Sequence, residues 1–408
     1  FLDITVPDYE QLLYGGRAGT TTIAITPQES GIARITATLA ASFQPVDEVH
    51  VVAEGSAGNF WLGRDFVSAD TMSQYQEQLQ SWAGNLTESA DILLYSCFTA
   101  LGEIGAAFIN TLADLTGADV AASTNLTGSA ALGGDWTLEA SSGNVEAGLA
   151  FAPSVLADYA DTLAVFTASD AASLAAAITA ANGAGGADEI RFAPGVTLIS
   201  LGAVLPDITD ALTITGQGTN VTIQGNNTFR IFNVTAVVPT TFDFLTITGG
   251  RVTGFDDGGG IRSEGAVTVT NSTISGNSAS DDGGGIFSDS GAVMVTNSTI
   301  SGNSAGADGG GIFSATGAVT VTNSTLSNNL AGDDGGGIAT FNSAITVTNS
   351  TISGNSADDF GGGIAGDTVI LTNSTVSGNS ARSEGGGVVS INGTIRNSTI
   401  TNNVADAD

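Results

Sequence analysis

Few side chains in this sequence can do chemistry. There is one cysteine, Cys97, one histidine, His50, no lysine, and a surplus of acids over nine arginines. Cys97 closes the apolar run "ADILLYSC", and a second apolar run, "HVVAEGSAG", carries Glu54. Both read as strands whose carboxyl ends would meet, the place where parallel sheets gather reactive groups. A thiol nucleophile needs a lowered pKa and a neighbouring proton acceptor. A carboxylate beside it pushes thiolate formation the wrong way. His50 stands four residues before Glu54, about 13 Å along a strand and toward the opposite end of the sheet. Glu54 and Cys97 therefore make no catalytic pair, and Cys97 reads as a buried small side chain and His50 as a packed strand residue. One cysteine also excludes an internal disulfide or a cysteine metal cluster.

The second group is a recurrent set of acids before glycine triplets: Asp256, Asp257, Asp281, Asp282, Asp308, Asp333, Asp334, Asp358, Asp359 and Glu384. Stacked in water, neighbouring charges repel by about 1 kcal/mol, which a fold can absorb, so a solvated acidic edge is the simpler expectation. Calcium is the one candidate cofactor. No EF-hand loop or calcium-binding nonapeptide repeat supports it. A net charge of −32 repels phosphate and anionic lipid, so no nucleic acid is expected as a partner. No apolar run is long enough for a helical membrane span, and no membrane insertion is expected.

The acids belong to a repeat. Asn-Ser-Thr recurs at Asn271, Asn297, Asn323, Asn349, Asn373 and Asn397, spaced by 26, 26, 26, 24 and 24 residues. Aliphatics keep register with it, Ile261, Val267, Val269 and Ile274 becoming Ile286, Val293, Val295 and Ile300. They alternate with Thr or Ser, which is strand periodicity. Three short strands per repeat, with glycine corners, describe the coil of a parallel β-helix. Four buried aliphatics give roughly 6–12 kcal/mol, and ordering one coil costs at least about 25 kcal/mol. A single coil cannot stand alone, so like stacks on like. Asn277, Asn303, Asn329, Asn355, Asn379 and Asn403 would then align into an amide ladder. The same Asn-Ser-Thr tripeptide matches the glycosylation pattern, but a structural use is expected. "SDAASLAAAITAANG", 169–183, has Ser169 or Asp170 as N-cap and Leu174 and Ile178 on one face, a helix suited to cap the first coil. After the sixth repeat the sequence shows no closing segment, so the last coil is expected to be bare or completed from outside. Phe1 is no initiator, so the chain is expected to be processed or part of a longer polypeptide.

Residues 1–160 alternate strand and helix patterns, an α/β parallel sheet of flavodoxin or caspase type. Trp61, Trp82 and Trp136 are expected to anchor its core. The expected layout is 1–160 α/β, 161–189 linker and capping helix, and 190–408 right-handed parallel β-helix with strict repeats over 256–408.

The motifs "GGGI", "NSTISGNSA" and "SLAAAI" resemble right-handed β-helix repeat proteins of bacterial surfaces, of polymorphic outer-membrane and pectate-lyase-like type. "VPDYEQLL", "HVVAEGSAG", "ADILLYSC", "GEIGAAFI" and "LGGDW" resemble an uncharacterised domain, domain of unknown function family 4347, found near the front of large secreted repeat proteins, many of them cyanobacterial. Members of that domain family carry His-Gly where this chain has Glu54-Gly55 and a cysteine where it has Cys97, an arrangement similar to caspase and gingipain peptidases, so the resemblance implies that Glu54 and Cys97 are the positions of a degenerate dyad with no catalytic residue. The resulting expectation is an extracellular or cell-surface structural protein, not an enzyme, whose copies join head to tail into a fibre, sheath or layer. Adhesion to glycans such as extracellular polysaccharide, or to partner cells, is the alternative; cysteine peptidase activity and polysaccharide cleavage are weaker ones, the latter because Arg191, Arg230, Arg251, Arg262, Arg382 and Arg396 are scattered along the sequence.

Overall fold

The computed structural model describes residues 1–184 and 188–406. The chain divides into two compact units, Phe1–Thr167 with Ala184–Asp188, and Ala168–Gly183 with Glu189–Asp408. Each is taken by itself. Residues 161–167, expected in a linker, belong to the first unit.

In the α/β unit the strands are β1 (Leu2–Asp3), β2 (Ala24–Ile25), β3 (Val46–Val52), β4 (Glu54–Ser56), β5 (Asn59–Leu62), β6 (Asp65–Ser68), β7 (Leu86–Tyr95), β8 (Asp119–Ala122) and β9 (Ala140–Ser141). Six of them form one sheet in the order β2-β1-β3-β7-β8-β9, parallel except where β9 runs against β8. Its centre is β7, buried without a break from Ala90 to Tyr95, as a strand covered on both faces must be. Helix α1 spans Tyr9–Tyr14, α2 Gly31–Ala41, α3 Gln76–Trp82 and α4 Gly102–Thr116. Ile32, Ile35 and Leu39 give α2 its buried face, and Phe108, Ile109 and Leu112 do the same for α4. Trp82 is buried and donates from Nε1 to Thr36 Oγ1 at 2.9 Å.

One element was not expected: β4, β5 and β6 form an antiparallel three-stranded sheet. Buried carboxylates tie it down. Asp65 accepts from Ser30 Oγ (2.7 Å) and Ile32 N (2.9 Å) at the start of α2, and Asp3 accepts from Gly63 N. Trp61 lies on this sheet and is half-buried, with its ring against Phe66 rather than in the central core.

Helix α5, Pro153–Asp158, belongs to the first unit, and the first helix of the second unit is α6, Ala171–Ala181. Asp170 caps α6 in a reciprocal box with Ser173, and Leu174 and Ile178 are buried. Asn182 fastens its end to the solenoid by donating to Asp207 O and accepting from Thr209 N. From Leu198 onward, parallel strands pair coil on coil in register: Val267↔Val293↔Val319↔Ile345, and Ile274↔Ile300↔Leu326↔Ile352. These aliphatics are fully buried. The expected three strands gain a two-residue fourth, Ser304–Ala305 in one coil and Leu330–Ala331 in the next. Where the spacing falls to 24 residues, two strands fuse into one, Ile364–Thr372 and Val388–Arg396. Ile364–Thr372 consequently pairs with both Ile338–Thr340 and Ala344–Thr348.

Side chains extend the ladders into the corners. Asn277 Nδ2 donates to Asn303 Oδ1, and the chain continues through Asn329, Asn355 and Asn379 to Asn403 at 2.9–3.0 Å per step. Each Nδ2 also donates to a strand carbonyl of the preceding coil, Asn329 to Ile300 O for example. Each of the four interior amides, Asn303, Asn329, Asn355 and Asn379, is thus used twice as donor and twice as acceptor. A second ladder was not foreseen: Ser272 N donates to Ser298 Oγ, Ser298 N to Ser324 Oγ and Ser324 N to Ser350 Oγ, each at 3.0 Å. The glycine triplets turn at Gly283 (φ 65°), and a Cβ on Gly284 would stand 2.5 Å from the Ser304 carbonyl.

Replacing Asn329 tests the ladder. Asn329→Ala strips partners from Ile300 O and Asn303 N and is expected to cost about 3 kcal/mol or more. Asn329→Asp should cost more at pH 7, where a carboxylate faces two acceptors, with the gap narrowing toward pH 4. Denaturant unfolding of both variants at the two pH values measures this.

Candidate functional site

The carboxyl ends of β3 and β7 bring Glu54 and Cys97 into one neighbourhood. Both groups lie near Tyr159, whose hydroxyl is pushed up first by burial and then by neighbouring acids, Asp161 first. Tyr159 OH donates to Pro7 O at 2.8 Å. Glu54 is buried, with Oε2 accepting from Thr5 Oγ1 at 3.2 Å. Cys97 is fully buried; its Sγ accepts from Thr127 N at 3.1 Å and lies 3.5 Å from Thr127 O. Burial pushes the thiol up to about 12, against the opposing hydrogen bonds of Thr127 and Leu163. Such a thiol is neutral at any physiological pH.

The crevice above these strand ends is filled by the chain itself. Ala164 bridges Gly55 in parallel, and Thr162 bridges Gly128 antiparallel. Leu163 N donates to Thr127 O (2.9 Å) and Ser129 N to Asp161 O (2.8 Å). Gly128 has φ 135°, and a Cβ there would lie 2.4 Å from Asp161 O, so only glycine permits this approach. Residues 161–164 therefore lie as an added strand where an extended ligand of such a sheet would lie. Ser96 and Thr127 keep buried hydroxyls with no partner among the described residues.

His50 belongs elsewhere. It sits on β3 opposite Leu93, its Nε2 3.0 Å from Glu48 Oε2 and its Nδ1 3.3 Å from Tyr95 OH. Desolvation lowers its pKa, with Glu48 opposing.

The acids of the solenoid separate into columns. Asp257, Asp282, Asp308 and Asp334 form an inner one, each Oδ1 accepting the backbone N–H one coil on: Asp282 N to Asp257 (3.1 Å), Asp308 N to Asp282 (2.9 Å), Asp334 N to Asp308 (2.8 Å) and Phe360 N to Asp334 (2.9 Å). Asp256, Asp281, Asp333 and Asp359 occupy the neighbouring column, which Ala307 interrupts. Asp358 stands one position further back, exposed, in the row of Gly306 and Gly332. The inner column is half-buried. Burial, then neighbouring carboxylates, raise all four residues, Asp282 to about 7 and Asp308 to about 6, although each accepts a backbone N–H that opposes the shift. Sequence periodicity located these acids but treated them as solvated. The ordinary Coulomb estimate missed the desolvation.

Asp257, Asp281 and Asp282 can bring one carboxylate oxygen each within 4.8 Å of one another, a group able to contact a cation. Of the solenoid's arginines, Arg230 pairs with Asp256, Arg191 with Glu189, and Arg262 lies 3.4 Å from Glu264 and 6.0 Å from the centre of the Phe287 ring. These three are held by local partners and do not converge on a groove. No described helix is long and apolar enough to cross a membrane.

Residues 1–163 match the family model of a domain of unknown function (DUF4347), and residues 210–366 and 261–407 match that of the right handed beta helix region. No curated protein and no solved structure matches the chain.

Two predictions follow from these sites. Between about pH 4 and pH 7 the folded aspartate column holds protons that the unfolded chain has released, because its carboxyls titrate above their ordinary 3.8. Folding stability should therefore fall as pH rises through that window. Asp282→Asn with Asp308→Asn keeps an oxygen acceptor for each backbone N–H and removes the charge. The double variant should melt higher than the parent at pH 8 and match it near pH 4; millimolar calcium at pH 8 shows whether a cation substitutes for the proton. For Cys97, iodoacetamide labelling of the native chain at pH 7.5 should be slower than labelling in denaturant by at least about a hundredfold, tracking the rare open state. Mass spectrometry over time reads both rates.

Proposed function

We propose that this parallel β-helix repeat protein is an extracellular, cell-surface structural protein, a subunit of a fibre, sheath or layer, in which the solenoid is a stiff spacer and the α/β domain a peptidase-like module without cysteine chemistry. The observation that carries this reading is the unbroken amide ladder from Asn277 to Asn403. It fixes every strict coil to the next and leaves the repeats devoted to stacking. The strands pair in parallel from coil to coil, so the two ends of a stack are unlike. Contact between copies along the axis is then heterologous and open-ended.

The buried Cys97 and the occupied crevice support the non-catalytic part. A second reading, adhesion to uncharged polysaccharide, is favoured by the outward rows Thr273, Ser275, Thr299, Ser301, Thr325 and Ser327, which present hydroxyls along one sheet. Negative-stain imaging and sedimentation of the purified chain separate these readings. Rods or filaments that grow with concentration are expected. A monodisperse monomer at high concentration, with or without calcium, overturns self-assembly, and co-sedimentation of that monomer with exopolysaccharide would favour adhesion.

A further inference from the structure

One sheet of the solenoid turns a grid of hydroxyls outward. From Val221–Gln224 through Leu245–Thr248, Thr273–Ser275 and each later coil to Thr399–Thr401, its strands pair in parallel with no shift of register. The middle residue of each triplet points into the core, as Ile274, Ile300 and Leu326 do. The residues on either side of it point out. One outward column is threonine in every coil from Thr222 to Thr399. The second begins with Gln224 and Thr248, is serine in every coil from Ser275 to Ser377, and ends at Thr401. Neither column contains Asp, Glu or Arg, so this face is uncharged in a chain of net charge −32.

Stacking alone does not require this uniformity. The neighbouring sheet pairs in the same way, yet its outward positions admit Met294 between Thr268 and Thr320, Ile370 after Thr346, and Asp243 and Arg396 in the column of Thr270. Strand propensity favours threonine but gives no reason for a column of serine. Bonding within the protein gives none either. From Thr273 to Ser377, among the described residues, the outward hydroxyls of these two columns have no hydrogen-bond partner in the protein. The buried hydroxyls of Ser272, Ser298 and Ser324 are each engaged as donor and acceptor.

The grid repeats in two directions, about 4.8 Å from strand to strand and about 6.6 Å between residues i and i+2 of one strand. Water bonded tetrahedrally at about 2.75 Å between oxygens, as in ice, places second neighbours about 4.5 Å apart and repeats at about 7.3 Å along its hexagonal axis. Four consecutive coils thus stay within about 1 Å of the ice spacing along a column, and the misfit across the columns is about 0.7 Å. Short hydroxyl side chains hold a single small molecule weakly. They gain from a partner that is itself rigid and periodic, because many contacts then form in one step. We propose that this face binds ice, the hydroxyls and threonine methyl groups from Thr273–Ser275 to Thr375–Ser377 ordering a layer of water in register with the crystal surface. The charge pattern fits that occupant: ice carries no fixed charge, and it offers donors and acceptors alike, as a hydroxyl does. A soluble sugar would call for a cleft and for ring stacking, and neither column contains Phe, Tyr or Trp. The activity goes beyond both the structural and the adhesive reading and does not depend on self-assembly.

The test grows ice slowly in a solution of the 408-residue chain and measures how much protein enters the solid. The parent is expected to enter at least about tenfold more than a variant carrying Thr299→Tyr and Thr325→Tyr, because two bulky rings lift the middle of the grid off the crystal and break the joint action of the rest. Tyrosine suits an exposed strand position. Thr320→Tyr with Thr346→Tyr, on the neighbouring sheet, should leave uptake as in the parent. Equal exclusion of the parent and the grid variant overturns the proposal, and so does an equal loss in the neighbouring-sheet variant. Should the grid variant misfold, the parent alone decides: a seed crystal in millimolar protein is expected to show a gap between its melting and freezing points, and no gap overturns the proposal. Crystalline cellulose and chitin are tested alongside. Parent that sediments with either and stays out of ice overturns ice binding and assigns the face to polysaccharide, which leaves the adhesive reading standing.

Discussion

A polar group taken into the interior of a solenoid must find a partner within its own corner or one coil away, because water cannot reach it. That condition governs the repeat unit. The backbone meets it along the strands, but at the corners the chain turns and its N–H groups diverge. Here Asn277 and its five counterparts act as portable peptide groups: each amide has both the donor and the acceptor needed to continue a hydrogen-bonded row, and each spends its second donor on a strand carbonyl. Serine performs a simpler version at the next corner, its hydroxyl accepting an N–H while donating to a nearby carbonyl, as Ser298 does to Thr296 O at 2.7 Å. An amide or hydroxyl can sit in such a row indefinitely because it is neutral and two-sided.

The aspartate column obeys the geometry and breaks the chemistry. A carboxylate accepts the backbone N–H of the following coil as well as an amide oxygen does, yet it has no donor to pass on and brings a charge. Asp282 has Asp257 on one side and Asp308 on the other, both raised in pKa by the same combination of desolvation and repulsion. The row can lower its cost by taking up protons or a cation. At the far end it stops: Phe360 takes the next place, and its N–H is the last donor to Asp334. Asparagine at these positions would serve the backbone equally well, so the carboxylates add an environmental dependence that backbone pairing alone does not require.

Much of the solenoid was legible because its physics repeats. Spacing fixed the register, alternation fixed which of Val267, Thr268, Val269 and Thr270 points inward, and the invariant place of Asn277 within the unit announced a ladder. What remained hidden was graded burial. Asp257 and Asp358 look alike in sequence, one half-buried in a hydrogen-bonded row and the other exposed, because a two-residue offset within the corner decides between them. The α/β unit was legible at its central strands, where continuous apolar runs leave little choice. The hairpin sheet of residues 54–68 was not. Its anchors, Asp3 and Asp65, are buried carboxylates that cap backbone N–H groups distant in sequence, and nothing local marks them as different from surface acids.

The covered sulfur of Cys97 shows how burial decides what a reactive residue type can do. A thiolate at Cys97 would be desolvated and would face the negative charge of Asp188. The lower-energy arrangement keeps the thiol protonated, uses its sulfur as a weak acceptor for Thr127 N, and covers it. The cover is economical: residues 161–164 pair with Gly55 and Gly128 by backbone alone and need no special side chains. Once that strand is in place, Cys97 is as dry as the core beneath it, and a Glu54→His substitution would still leave the sulfur behind a hydrogen-bonded segment. Two separate conditions of nucleophilic catalysis, activation and access, are thus unmet in the same few residues.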